Sequence, residues 1–210
     1  RERAERGADP AGGRRPGGRR NPGSITGVEF LVANRDRGHA GDFHQNLTRQ
    51  ANDLRIALEE DQFRLYYQMQ ADHSGLIHGA EVLLRWQHPE RGLVSPLEFI
   101  PLAEETGLIL PIGQWVLETA CAQLKDWEAD PLTRNLQLAV NVSARQFHQA
   151  DYVEQVRQTL HNHALDASRL KLELTESLVL DDIEDTITKM QALKKVGVRF
   201  SMDDFGTGYS

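Results

Sequence analysis

From about residue 46 onward the chain alternates short apolar, strand-like runs with helix-patterned stretches. That order restricts it to an α/β fold around a largely parallel sheet. The strand candidates are Phe63–Gln68, Ile77–Trp86, Leu136–Val142, Leu170–Leu174 and Val198–Met202. Helices are expected at about 47–60, 96–105, 112–129 and 150–164, with a last one running from around Asp181–Asp185 to Lys194 and Lys195. Ser95 reads as an N-cap, with Pro96 at the first helical position and Glu98 three residues after the serine; Gly107 reads as the stop. Asp181, Asp182, Glu184 and Asp185 open the last helix, and Lys194, Lys195 and Gly197 close it, a charge order that complements the helix dipole.

The first 23 residues differ in kind. They are rich in Arg, Gly and Pro and cannot bury enough apolar surface to offset their ordering. Residues 1–45 therefore read as a linker or disordered segment, and 46–210 as the folded domain. The net charge of -7 is uneven: residues 1–20 carry +4, which leaves an acidic body. Such a body argues against a general nucleic-acid surface and leaves room for a carboxylate-rich metal site. No apolar run is long enough to span a membrane. The single cysteine, Cys121, cannot form an internal disulfide and suits a reducing cytoplasm. It falls in an apolar helical stretch and reads as packing, as do Trp86, Trp115 and Trp127. His88 falls in an expected loop. His161 and His163 do not share a helix face and read as surface residues.

Polar residues on otherwise apolar strands carry the functional signal. Period 2 places Glu81, Leu83 and Arg85 on one face, a carboxylate beside a guanidinium suited to bidentate phosphate binding. The bland alternative is a buried salt bridge. Asn141 closes the third strand, where it could equally be a turn residue. Glu173 lies near the end of the fourth with Glu176 just beyond, and Asp203 and Asp204 end the fifth before a glycine loop. In α/β folds the C-terminal strand ends form the active face, so these groups converge there. An all-oxygen set of this kind suits Mg²⁺ or Mn²⁺ rather than zinc, and two such ions could clamp an in-line phosphoryl displacement.

The same residues carry a family resemblance. Glu81-Val82-Leu83-Leu84-Arg85-Trp86 resembles the signature of the EAL domain family, with Val82 where the motif has alanine. The match continues through Tyr67-Gln68, Ser95 to Pro101, Glu104 to Gly107, Asn141-Val142-Ser143, Glu173 to Ser177, and Asp203 to Ser210. The resemblance implies a partial (β/α)₈ TIM-like barrel with about five of its strands. It implies hydrolysis of cyclic di-GMP to linear pGpG at a two-metal Mg²⁺ or Mn²⁺ site in bacterial signalling. Glu81, Asn141, Glu173, Asp203 and Asp204 are then the expected metal ligands. Glu81, Glu176 and Asp204 are the expected catalytic groups, and Gln68, Arg85 and Pro96 meet the dinucleotide. A homodimer through the Asp203–Ser210 loop is implied, as is a GGDEF or sensor domain in the parent protein.

Met69 stands where the family has proline. The family's lysine on the next strand and a later glutamate ligand lie beyond Ser210, so the chain as written is expected to be inactive by itself. Two further readings stay open: a receptor that binds cyclic di-GMP without cutting it, and a gene remnant.

Overall fold

The computed structural model describes residues 40–175, 178 and 182–203, with the backbone alone for 40–46 and 203. In chain order the elements are α1 (Ala40–Glu59), β1 (Phe63–Ala71), β2 (Ile77–His88), β3 (Gly92–Val94), α2 (Pro96–Thr106) and α3 (Ile109–Asp126). A 3₁₀ turn at Trp127–Ala129 leads to β4 (Gln137–Val142), α4 (Ala144–Phe147) and α5 (Tyr152–Asn162). A second 3₁₀ turn at Ala167–Arg169 precedes β5 (Leu170–Thr175), α6 (Ile183–Val196) and β6 (Arg199–Asp203).

The strands form one sheet in the order β1-β2-β4-β5-β6, with β3 paired to β2. Strands β2, β4, β5 and β6 run parallel, as expected for an α/β fold. β1 and β3 each run antiparallel to β2. The reason for the first is connection length. Only residues 72–76 join β1 to β2, far too few for the crossover that a parallel pair requires. Asp72 builds that turn, its Oδ1 accepting from Ser74 N at 2.8 Å and Leu76 N at 3.1 Å. Among the described residues the sheet holds the five expected strands and, added to them, the three-residue β3.

Other expectations are corrected at the element ends. α1 begins at Ala40 instead of 47, because Ala40–Asn46 shows no apolar period that would betray a helix. α3 starts three residues early, at Ile109, and turns 3₁₀ at Trp127. His88 is the last residue of β2, not a loop residue, and its Nδ1 accepts from Glu90 N and Arg91 N to close the tight turn into β3. Ser95 holds extended N-cap geometry but makes no side-chain capping bond; Glu98 pairs with Arg91 at 2.6 Å instead. The stops behave as read: Gly107 sits at φ 78°, a left-handed conformation that favours a residue without Cβ. Asp182 caps α6 by accepting from Asp185 N. Asp181 lies outside the described residues.

Period 2 splits the sheet into two unlike faces. One face carries Phe63, Ala80, Val82, Trp86, Leu138, Val140, Val142, Leu170, Leu172 and Leu174, all buried in the core against the helices. Phe63 anchors it, with ring centroids 5.8 Å from Phe99, 5.9 Å from Trp115 and 6.2 Å from Trp86. Cys121 is fully buried in the same core, and burial pushes its thiol up to about 12. Trp115 and Trp127 pack at the core's margin. The opposite face is polar. It carries Tyr66, Gln68 and Gln70 on β1, Glu81 and Arg85 on β2, Asn141 on β4, Lys171, Glu173 and Thr175 on β5, and Ser201 on β6.

That polar face is concave. β1 and β5 stand three strand spacings apart, about 14 Å on a flat sheet. Lys171 Nζ nevertheless donates to Gln70 Oε1 at 3.1 Å, so the sheet curls to bring the two side chains together. No helix among the described residues is long and apolar enough to cross a membrane.

Candidate active site

The strand register arranges the polar face in rows. Asn141, Glu173 and Ser201 are Cα neighbours across β4, β5 and β6. One row toward the N-terminal ends, Gln68, Glu81, Ala139 and Lys171 are neighbours across β1, β2, β4 and β5. One row the other way, Asp203 closes β6 beside Thr175. The sequence-derived ligand positions on described strands thus share one face over three rows, Glu81 near the middle of β2 and Asn141, Glu173 and Asp203 toward the C-terminal ends of β4, β5 and β6.

Two bonds tie them. Asn141 Nδ2 donates to Glu81 Oε1 at 2.9 Å across the stagger. Glu173 is buried, and its Oε1 accepts from Ser201 Oγ at 2.8 Å and pairs with Lys171 Nζ at 3.0 Å. Half a turn of the Asn141 amide would present Oδ1 in place of Nδ2. The donor chemistry, two carboxylates and one amide oxygen, fits a hard divalent cation. Among the described residues no cluster of three or more His, Cys, Asp and Glu forms; Glu176 and Asp204 lie outside the described residues, and only the backbone of Asp203 is described.

Beside these groups opens a cavity of about 270 Å³, whose lining includes Arg85, Pro96, Glu104, Asn141, Glu173 and Thr175. Arg85 is half-buried. Its Nη1 donates to the Leu84 carbonyl at 2.9 Å, and its guanidinium carbon lies 5.7 Å from the centre of the Tyr66 ring. The remaining donors of the guanidinium fork suit a phosphate. Pro96 lines the cavity from the start of α2. Gln68 is exposed, opposite Glu81 in the antiparallel register; neither Gln68 nor Glu81 lines this cavity.

The wall behind Asn141 is held by a capping box. Ser143 Oγ accepts from Gln146 N, while Gln146 Oε1 accepts from Ser143 N at 3.3 Å and Ser143 Oγ at 3.0 Å. Helix α3 presses on the box at Gly113: a Cβ there would sit 1.6 Å from Gln146 Nε2. Arg145, on the same short helix, reaches α2 and donates to the Glu104 carbonyl. Partial desolvation raises the Glu104 carboxyl above its ordinary range, and the nearby Arg145 charge pulls it back.

Several of these residues carry no role in the sequence reading. Lys171 and Ser201 stand at period 2 from recognised positions, so alternation alone could have placed them on the active face. Ser143-x-x-Gln146 is a capping-box pattern legible in the sequence. Gly113 has no such signal, because its role depends on an approach between α3 and α4.

Comparison with known proteins fits this geometry. The model of the family described as "EAL domain" matches residues 51–210. The bifunctional diguanylate cyclase/cyclic di-GMP phosphodiesterase MucR of Pseudomonas aeruginosa is 47% identical over 160 residues, which is 76% of this chain and 23% of MucR. The cyclic di-GMP phosphodiesterase PdeR of Escherichia coli is 40% identical over 157 residues, 75% of this chain and 23% of PdeR. The solved PaMucR phosphodiesterase in complex with c-di-GMP superposes with a TM-score of 0.74 at 45% identity, covering 77% of this chain and 66% of that one. The chain thus spans about a quarter of the length of these curated relatives. On the extent of the family match and on these identities, the chain belongs to the EAL domain family.

Proposed function

We propose that the domain hydrolyses cyclic di-GMP to linear pGpG with Mg²⁺ or Mn²⁺. One observation carries the reading: Glu81, Asn141 and Glu173 share one face of adjacent parallel strands, Asn141 bonded to Glu81 and beside Glu173, next to a cavity that Arg85, Asn141 and Glu173 line. The phosphodiesterase names of MucR and PdeR, and the c-di-GMP complex of the MucR domain, support it.

In this reading water attacks one phosphorus, the bond from that phosphorus to the 3′-oxygen breaks, and the departing oxygen takes up a proton. The product keeps the phosphate on its 5′ end. Glu81, Asn141 and Glu173 are the described residues that would hold the cation, with Asp203 and Asp204 completing the set. A divalent ion held there would lower the pKa of water and offset charge on the phosphate oxygens. Arg85 binds and orients the phosphate through its planar fork. Pro96 and Gln68 border the dinucleotide, and Glu176 supports the glycine loop or the ligand carboxylates.

Residues 46–210 form the catalytic domain in this proposal and 1–45 a connecting segment. The work is cytoplasmic, in a parent protein with a GGDEF or sensor domain, and pairing between copies runs through Asp203–Ser210. A second reading, a receptor that binds without cutting, draws on the ammonium that already occupies Glu173 Oε1.

The test is pGpG formation by the gene product at its natural length, with and without Mn²⁺, beside a Glu81→Ala variant. Metal-dependent product that disappears in the variant is the expected result. Cyclic di-GMP binding without product would establish the receptor instead.

A further inference from the structure

The floor of the site holds a positive charge that the proposed reaction does not use. Lys171 precedes Glu173 by two residues on β5 and shares its face. Its Nζ lies 3.0 Å from Glu173 Oε1, with the two side chains 20% and 9% exposed. The same ammonium donates to Gln70 Oε1 at 3.1 Å, on the far side of the concave face. In the register row between Glu81 and Lys171 stands Ala139, which is buried. Lys171 is therefore held at two points, by a carboxylate on its own strand and by an amide on β1.

This double anchorage distinguishes Lys171 from a surface lysine that swings into water when a competitor arrives. A divalent ion on Glu173 would share that carboxylate with a fixed ammonium, and like charges at such range in a partly dry site repel strongly.

We propose that Lys171 is a built-in counter-ion of the metal site. It pairs with Glu173 and ties β1 to β5 when no divalent ion is bound, and it weakens divalent-ion binding at Glu173. This inference rests on the proposed metal-dependent reading. Lys171 is a positioning residue here and touches no reacting atom.

The test titrates Mn²⁺ alone into the full-length gene product and its Lys171→Met and Lys171→Arg variants, following free Mn²⁺ by electron paramagnetic resonance. Thermal unfolding without metal is read alongside. Lys171→Met is expected to bind Mn²⁺ at least about tenfold tighter while its ion-free Tm falls. Lys171→Arg, which keeps the charge, should stay near the wild-type affinity. If Lys171→Met does not fold, Gln70→Leu releases one of the two anchors and should tighten Mn²⁺ binding in the same direction. Unchanged or weaker Mn²⁺ binding in both the methionine and leucine variants would overturn the counter-ion and leave Lys171 a strut. If neither the wild type nor any variant binds Mn²⁺, the proposed function falls together with this inference, a pattern distinct from wild-type binding that the substitutions fail to alter.

Discussion

Asn141 Nδ2 donates to Glu81 Oε1 at 2.9 Å, joining the end of β4 to the middle of β2. The bond fixes a neutral amide and a carboxylate in one place without a second like charge, so Glu81 is satisfied at low electrostatic cost. In the proposed reaction both residues hold the cation. Asn141→Ala should therefore weaken Mn²⁺ binding by at least about tenfold, the lower end of what lost support around a metal costs. Glu81→Ala should abolish turnover. Calorimetric Mn²⁺ titration checks the first and product chromatography the second; wild-type Mn²⁺ affinity in Asn141→Ala would remove Asn141 from the ligand set.

Arg85 donates to the Leu84 carbonyl, packs its guanidinium by the Tyr66 ring and lines the cavity. A lysine keeps the charge but loses the planar two-point geometry. Hydrogen bonds to charged groups are worth about 1.5–3 kcal/mol, so Arg85→Lys should raise KM for cyclic di-GMP by about 10- to 100-fold. Steady-state kinetics would show it, and an unchanged KM would mean that Arg85 does not meet the phosphate.

At Gly113 there is no room for a side chain. A Cβ would stand 1.6 Å from Gln146 Nε2 and 2.2 Å from its Cδ. Gln146 cannot yield without leaving Ser143, which stands two residues after Asn141. Gly113→Ala should cost about 1–3 kcal/mol, the usual range for overpacking. It should also weaken Mn²⁺ binding by displacing Asn141. Urea unfolding gives the first quantity; a variant as stable as wild type would show that α3 moves aside freely.

The reach of the sequence follows from which features are periodic. Glu81, Asn141 and Glu173 were legible because each is a polar interruption of an apolar strand, and strand alternation alone sets the shared face. The caps of α6 and Gly107 were legible because capping is local chemistry. β3 was not, since Gly92–Val94 is too short to show a period. The early start of α1 was hidden by a stretch without apolar rhythm. Lys171 was passed over because a lysine on a strand reads as solvent-facing until Gln70, far away in sequence, is known to stand across from it.

Cys121 is fully buried, and its thiol ionises only at about 12. The reactive species is the thiolate, so almost none exists near neutral pH. The native protein should leave Cys121 unmodified by a disulfide reagent at pH 8, and the urea-unfolded protein should react at once. Rapid labelling of the native state, followed spectrophotometrically, would place Cys121 outside the core.

Glu104 offers a pH signature with a definite sign. Partial desolvation raises its carboxyl above the ordinary value of 4.5, against the pull of Arg145. In the window just above 4.5 the unfolded chain loses this proton before the folded one does. The native state then holds more protons, so its stability falls as pH rises through that window and levels off above the folded value. Glu104→Gln removes the titration while keeping size and shape. Its stability relative to wild type should be smallest below 4.5 and should climb to a plateau above the window of the raised titration, read from urea midpoints at matched ionic strength. Because other carboxylates titrate equally in both proteins, the difference between the two curves isolates Glu104. Parallel curves across the range would show that water reaches this carboxyl freely despite the cavity beside it.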